Sequence, residues 1–428
     1  MKPRFLLPIV GLFCISLAAY AADWNRFRGP SGVGESAEKG LPTEWSSTKN
    51  IVWKSKLPGP GTSSPIVVGD KIYLTSYTGY ALSESKPGDV EKLKRHVLCL
   101  DRKSGELIWT KEFAAKQPES AYSGGNNAWH GYASSTPTAD DKNLYVFFGK
   151  SGVYALSLAD GSEVWHVDVG EQTKGWGSSN SLVLFENLLI VNASIESGTL
   201  RALDKSTGKE VWKASDIRGA WNTPLLVKTA TGSTELVLSL PGNPEGKIVG
   251  YDPKTGEQLW TSQGIPDGGY ICPSVIAHEG IVYAIGGRKN TALAVKTGGK
   301  GDVTDTHELW RTNKGSNVSS PAYHSGRIYW MHEKQGTLIC LDAKDGQVLF
   351  EERVSPRPGI VYSSTTIADG KVYAVSQHAG TFVFEAGPTF KQIAHNTFDE
   401  DNRANASLAI DRGQFLLRDD AYLYCLGQ

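Results

Sequence analysis

The sequence predicts an all-β chain: an eight-bladed β-propeller of four-stranded antiparallel blades, its ring closed by the N-terminal strand. Three observations predict it. A turn phrase ending in tryptophan repeats along the chain, and a strand–turn–strand phrase stands ahead of most copies. The first closing strand, Ile51-Val52-Trp53-Lys54, has no partners before it. Repeats of roughly 40–50 residues are the signature of propeller blades. A helical solenoid would need helical periodicity, and none is visible.

The turn phrase is Asp101-Arg-Lys-Ser-Gly-Glu-Leu-Ile-Trp109. It recurs at Ala159–Trp165, Asp204–Trp212 and Asp252–Trp260, with a weaker copy at Asp342–Phe350. Its physics is a hairpin: an apolar strand ends at Asp, a polar turn reaches Gly where φ must be positive, and a β-rich strand ends in an aromatic. The preceding phrase runs Ser64–Leu74, Ser135–Tyr145, Pro273–Tyr283, Ser320–Tyr329 and Thr365–Tyr373, with a degenerate copy at Ser407–Leu416. The closing aromatics are Trp53, Trp109, Trp165, Trp212, Trp260, Trp310, Phe350 and Phe390, spaced 40 to 56 residues apart.

The last blade, Ser407 to Leu426, has only three strands. The N-terminal strand supplies the fourth, which removes an open sheet edge. Residues 22–428 then form one propeller domain, with 22–50 an N-terminal extension and 51–57 the closing strand of the last blade. Seven blades are the alternative, because the repeats after Trp310 are degenerate.

Composition narrows the function classes. The chain of 428 residues carries 44 Lys+Arg against 45 Asp+Glu, so there is no basic excess for nucleic acid. Lys2 and Arg4 precede an apolar stretch, Phe5–Ala19, and Ala19-Tyr20-Ala21 is a small-x-small cleavage site. This pattern predicts a secretory signal peptide cut after Ala21, hence a periplasmic or extracellular protein. Phe13 before Cys14 lacks the small residue a lipoprotein signal wants. No later segment approaches 18 apolar residues, so no membrane span is expected in the mature chain, which is read as a monomer. Cys99, Cys340 and Cys425 occupy equivalent strand positions and read as core residues; neither they nor Cys272 form a CxxC or a clustered zinc set.

The phrases resemble the repeats of the PQQ-like β-propeller family, over about Ile51 to Leu426. The carrying motif is D-x-x-[ST]-G-x-x-x-W at Asp101–Trp109, Asp204–Trp212 and Asp252–Trp260. Trp24-Asn-Arg-Phe-Arg-Gly-Pro30 also resembles the opening of short exported bacterial members. The resemblance implies that the repeat tryptophans pack between blades. It implies either a BamB-like scaffold or a quinoprotein alcohol dehydrogenase, and fold alone does not choose.

A site is expected where the loops entering each inner strand and the loops joining second and third strands share a face. The entering loops offer an aromatic wall of Trp129, Trp176, Trp221, Tyr270 and Tyr362, with Asn222 beside it. His130, Arg218, Arg288, His332, His378, Arg403 and Arg418 add polar and basic groups, and the joining loops also carry Lys150 and Glu196. Paired serines (63/64, 134/135, 178/179, 319/320, 363/364) read as strand starts that satisfy backbone groups rather than as nucleophiles. His130, His332 and His378 come from three blades, and a metal triad would need their rings to converge; anion or glycan contact is the competing role. Asp399-Glu400-Asp401 could hold Ca²⁺ or be an exposed loop.

Two functions are weighed. A quinoprotein dehydrogenase needs a slot for PQQ, a divalent cation with carboxylate ligands, and a carboxylate base. Family dehydrogenases stack the quinone on a vicinal disulfide, and no Cys-Cys pair or CxxCH is present. The entering loops are also poor in carboxylates. The preferred reading is a non-catalytic binding or scaffold protein of the cell envelope, with no cofactor, taking a protein partner or a glycan at the funnel. The enzyme alternatives are a PQQ-dependent alcohol or sugar dehydrogenase and a carbohydrate-active lyase or hydrolase.

Overall fold

The computed structural model describes residues 23–83, 85–121, 131–174, 176–242, 244–266 and 269–428. The expected signal peptide, Trp129 and His130 lie outside them.

Eight antiparallel sheets form the eight blades of a propeller. The inner strands, in order, are Ile66–Val68, Thr138–Ala139, Val183–Phe185, Leu225–Lys228, Ile276–His278, Ala322–His324, Thr366–Ala368 and Ala409–Asp411. The outer strands are Leu107–Ala114, Glu163–Val167, Glu210–Ala214, Gln258–Gln263, Glu308–Thr312, Val348–Arg353, Gln392–Asn396 and, for blade eight, the N-terminal Ile51–Lys56. That last strand pairs antiparallel with Tyr422–Leu426 and sets Trp53 opposite Cys425. The predicted circular closure is therefore present.

The tryptophan phrase works as a clamp between neighbouring blades. Asp204 illustrates the turn: its Oδ1 accepts the amides of Ser206 (3.1 Å) and Thr207 (2.9 Å), while the Gly208 amide donates to the Asp204 carbonyl at 2.8 Å. Trp212, in the outer strand of blade three, covers the equivalent turn of blade four and donates to the Pro253 carbonyl at 3.0 Å. Gly256 in that turn has φ +72°, and a Cβ there would meet the Trp212 ring at 2.4 Å, so both conformation and space demand glycine. Trp53, Trp165 and Trp310 make the same hydrogen bond to the Arg102, Lys205 and Ala343 carbonyls. Trp109 makes the ring contact alone, over Gly161.

Trp260 departs from this scheme. A segment after the third strand of blade five lays Gly301–Asp302 parallel along blade four's outer strand, and Trp260 donates instead to Glu235 Oε2 at 2.8 Å. Phe390 also departs. It precedes the outer strand of blade seven, where Ala394 holds the register opposite Val383, and reaches the Phe350 ring at 5.8 Å.

The residue facing each closing aromatic is small. Cys99, Ala155, Ala202, Gly250, Ala294, Cys340 and Cys425 stand opposite Trp109, Trp165, Trp212, Trp260, Trp310, Phe350 and Trp53. The three cysteines are thus space-limited core residues, and all four described cysteines are free.

A belt of hydrogen bonds joins the blades at the centre. One Ser or Thr sits two residues ahead of each inner strand. The Ser64 amide donates to the Thr136 hydroxyl (2.9 Å), Thr136 to Ser181 (3.1 Å), Ser181 to Thr223 (2.9 Å), Thr223 to Ser274 (3.0 Å) and Ser274 to Ser320 (3.0 Å). At the next junction the Thr365 amide donates to the Ser320 carbonyl at 3.2 Å. Ser364 then donates to Ser407 (2.9 Å) and Ser407 back to Ser64 (3.2 Å), closing the circle. The hydroxyls of Ser64 and Ser320 bond backbone as expected of the paired serines, and so do those of Ser63, Ser319 and Ser363. In blades two and three the belt residue is not in the serine pair; it is Thr136 and Ser181.

Residues 24–36 cross the ring just beyond the belt. The carbonyls of Trp24, Asn25 and Gly34 accept the amides of Val67, Ala139 and Ile367, and Glu35–Ser36 pairs parallel with blade seven. Arg28, fully buried, donates to the Pro321, Val33 and Thr365 carbonyls. The three remaining tryptophans are core: Trp24, Trp45 and Trp330 are all buried.

Trp212 is 8% exposed and bridges two blades. Trp212→Ala is expected to lower unfolding stability by roughly 3–5 kcal/mol in denaturant titration. A loss under about 0.5 kcal/mol would show that the clamp carries no stability.

Candidate functional site

The belt and the strap leave a funnel at the ring's axis, with an empty volume of about 930 Å³. Its floor is Phe27, from the N-terminal strap. Its wall holds Ser64, Thr136, Thr223, Ser274, Ser320, Ser364 and Ser407 of the belt, and its mouth Thr62, Ser134, Trp176, Ser179, Trp221, Cys272, Val318, Tyr362 and Asn405. Among the described residues, this lining contains no charged side chain. Seven belt hydroxyls each accept one amide hydrogen bond across a blade junction. The acceptor role leaves each hydroxyl's own hydrogen to donate elsewhere.

The aromatic side of the mouth is built by the entering loops of blades three, four and five. Tyr270 stands between Trp176 (ring centroids 5.1 Å) and Trp221 (6.1 Å, edge to face). The Trp221 indole donates to the Gly177 carbonyl at 2.7 Å, which fixes its plane. Tyr270 is fixed through its hydroxyl, which takes the Asn317 amide at 2.5 Å. Asn317 is itself anchored: buried Glu333 accepts its backbone amide at 3.0 Å and the Ser316 hydroxyl at 2.7 Å. The Arg288 guanidinium lies over the Tyr270 ring at 5.5 Å, and the Lys174 ammonium over Trp221 at 5.3 Å. Burial pushes the Tyr362 hydroxyl up to about 12, so it stays a neutral donor.

Of the expected site residues, Trp176, Trp221 and Tyr362 line the funnel, and Tyr270 and Arg288 join them at the rim. The other described ones stand elsewhere. Asn222 is fully buried and donates to the Ser239 carbonyl at 2.8 Å, so it holds backbone. His332 is buried; its Nδ1 accepts the Lys334 and Gln335 amides at 3.3 Å, and burial lowers its proton affinity. Arg418, 1% exposed, donates to the Ser63 and Thr75 carbonyls and ties blade eight to blade one. Arg403 pairs with Asp420 at 2.8 Å. His378 pairs with Asp401 at 2.9 Å outside the funnel lining. Arg218 is exposed and is likewise not part of that lining.

The two described histidines of the expected triad therefore do not converge. The run at 399–401 is dispersed too: Glu400 pairs with Lys54 and Asp401 with His378. Among the described residues, no group of three or more His, Cys, Asp or Glu could hold a metal ion. The sequence reading missed Phe27, Cys272, Val318 and Asn405. Phe27 carries no signal at all, because it reaches the funnel from the strap rather than from a blade.

A smaller chamber adjoins the funnel at Ser134, and beside it lies a buried carboxyl. Glu196, 1% exposed, accepts the Ser178 hydroxyl, and burial raises it to about 7 from an ordinary 4.5. The native state then keeps a proton that the unfolded chain loses near pH 4.5. Stability falls as pH rises from about 4.5 to 7, by up to roughly 3 kcal/mol from this group. The measurement is unfolding stability of the protein and of Glu196→Gln at pH 5 and pH 8. The difference between the two should shift toward the variant by 2 kcal/mol or more at the higher pH, to order of magnitude; a constant difference would mean that Glu196 titrates normally.

Comparison with known proteins agrees with this architecture. The family described as "Outer membrane protein assembly factor BamB" matches residues 93–352 and 299–387. Tetrathionate hydrolase of Acidithiobacillus ferrooxidans is 24% identical over 77% of this chain, which spans 65% of that protein. Outer membrane protein assembly factor BamB of Yersinia pestis is 24% identical over 67% of the chain and 71% of its own length. Among solved structures, quinohemoprotein alcohol dehydrogenase from Comamonas testosteroni superposes with TM-score 0.64 at 12% identity, over 94% of this chain and 80% of the other, a likeness of fold alone. Repeat motif, blade architecture and family match converge: the chain belongs to the PQQ-repeat β-propeller family of the BamB type.

Proposed function

We propose that this chain is an exported, non-catalytic binding protein of the cell envelope, and that its funnel takes a saccharide. The observation that carries the reading is the funnel lining. A ring of hydroxyl donors stands below fixed aromatic faces, and no charged side chain intrudes among the described residues. Sugars present hydroxyl edges and apolar C–H faces, which that combination matches. A loop-face protein partner is less well supported. The exposed large aliphatics Val52, Leu107, Ile108, Val164, Val211, Leu309 and Val348 are spread over the outer strands of different blades, and Leu82 alone among the described ones stands in a joining loop, so no apolar patch gathers at the funnel. The BamB relatives support envelope localisation.

The lining does not fit PQQ. A quinone with several carboxylates, bound with a divalent cation, asks for carboxylate oxygens and cationic side chains, and the described lining supplies neither. The enzyme alternatives rest on a relative named for hydrolysis and on relatives named as alcohol dehydrogenases, 25% and 28% identical over 48% and 31% of this chain.

Two measurements test the reading. Calorimetric titration of the purified protein with PQQ plus Ca²⁺ is expected to give no binding heat. Micromolar or tighter affinity with dye-linked alcohol oxidation would overturn the cofactor-free reading in favour of a dehydrogenase. Against an oligosaccharide panel, Trp176→Ala and Trp221→Ala should each weaken binding at least about tenfold, equivalent to roughly 1.4 kcal/mol. An unchanged panel profile removes the funnel as the binding face.

A further inference from the structure

The chamber beside the funnel has an empty volume of about 340 Å³ and is lined by Arg95, Glu119, Ser134, Lys150, Thr173 and Ser178, among others. Three of these carry charge, and two of them cancel. Arg95 donates to Glu119 Oε2 at 2.7 Å, to the Ser151 hydroxyl at 2.9 Å and to the Tyr132 carbonyl at 3.0 Å. The other Glu119 oxygen accepts the Thr173 hydroxyl (3.2 Å) and the Ser120 amide (3.1 Å).

Lys150 is left without a counter-ion. It is 5% exposed, and its ammonium donates to the Pro118 carbonyl at 2.8 Å. An ammonium has three hydrogens to place, and burying a charge is costly unless it is paired. No described carboxylate lies at ion-pairing distance from it. The nearby Glu196 does not fill the role, because its Oε1 is engaged by Ser178 and burial favours its neutral form.

The backbone makes room for this arrangement. Gly149, in the turn that carries Lys150, has φ +58°. A Cβ there would meet Ser178 Oγ at 2.8 Å and Glu196 Oε1 at 3.3 Å. The Thr173 and Ser178 hydroxyls spend their hydrogens on Glu119 and Glu196, so the lining is left with the uncompensated charge of Lys150, and the chamber shares Ser134 with the funnel mouth.

We propose that the chamber is an oxyanion subsite, and that the saccharide of the funnel is an acidic one whose carboxylate or sulfate group pairs with Lys150. The second half rests on the saccharide reading above; the first half does not. A charge-assisted pair at this depth is the stronger kind of hydrogen bond and gives the site its selectivity.

The test uses the full protein and two probes. Inorganic sulfate, compared with chloride at equal ionic strength, should raise the melting temperature with a saturable component at low millimolar concentration, above its general stabilising effect; Lys150→Met should abolish that component and Lys150→Arg retain it. A glucuronate-terminated oligosaccharide should bind at least tenfold more tightly than its neutral glucose counterpart, and Lys150→Met should bring the two affinities together. Absence of a sulfate-specific shift, with equal affinity for the two oligosaccharides, overturns the subsite while leaving the funnel reading intact. A Lys150-dependent sulfate shift without binding of any oligosaccharide upholds the subsite and overturns the funnel reading. If Lys150→Met does not fold, saturation of the wild-type sulfate shift and the two wild-type oligosaccharide affinities decide the matter.

Discussion

One amide hydrogen bond crosses each blade junction at the axis, and the circle of those bonds is the constraint from which the rest of the structure follows. A backbone N–H just ahead of an inner strand has no ladder partner in its own sheet, and it cannot be buried unpaired without cost. A Ser or Thr hydroxyl from the adjacent blade meets that need at seven junctions; at the eighth, between blades six and seven, the direction reverses and the Thr365 amide donates to the Ser320 carbonyl. Six of those seven hydroxyls, all but Ser181, also line the funnel. One set of residues thus sets the blade-to-blade distance at the axis and decides what chemistry the axis presents.

Two other devices work with the belt. At the circumference, the tryptophan clamp presses an indole onto a glycine turn of the next blade, so the ring is held at both radii. At the axis, the N-terminal strap bonds to blades one, two, six and seven and places Phe27 beneath the belt. The funnel is floored for that reason. The ring is also closed by an N-terminal strand rather than by the last blade alone, which ties both ends of the described chain into the closure. Buried Arg28 belongs to this strap and holds carbonyls of blades six and seven.

Much of this was legible in the residues. The D-x-x-[ST]-G-x-x-x-W phrase encodes local physics, an Asx-capped turn followed by a strand, and local physics repeats faithfully in sequence. Blade number, circular closure and the role of the tryptophans followed from it. The cysteines at 99, 340 and 425 were legible as core, though the reason, a small residue opposite a bulky aromatic, needed the register. The site was legible only in part. Trp176, Trp221, Tyr270 and Tyr362 stand at the funnel mouth because entering loops map onto it. Asn222, His332 and Arg418 have side chains suited to ligands, but each turns to satisfy backbone, a choice fixed by contacts between blades that no linear pattern records. Phe27 and the pairing of Lys150 with a lone carbonyl are likewise products of distant segments meeting.

The most direct test of the central claim is amide hydrogen exchange at the belt. If the circle of hydroxyl bonds holds the ring, the amides of Ser64, Thr136, Ser181, Thr223, Ser274, Ser364 and Ser407 should exchange only through global unfolding, as slowly as amides in the inner strands that follow them. Exchange at the rate of exposed loops, with the strands still protected, would contradict the belt and with it the account of how the funnel is built.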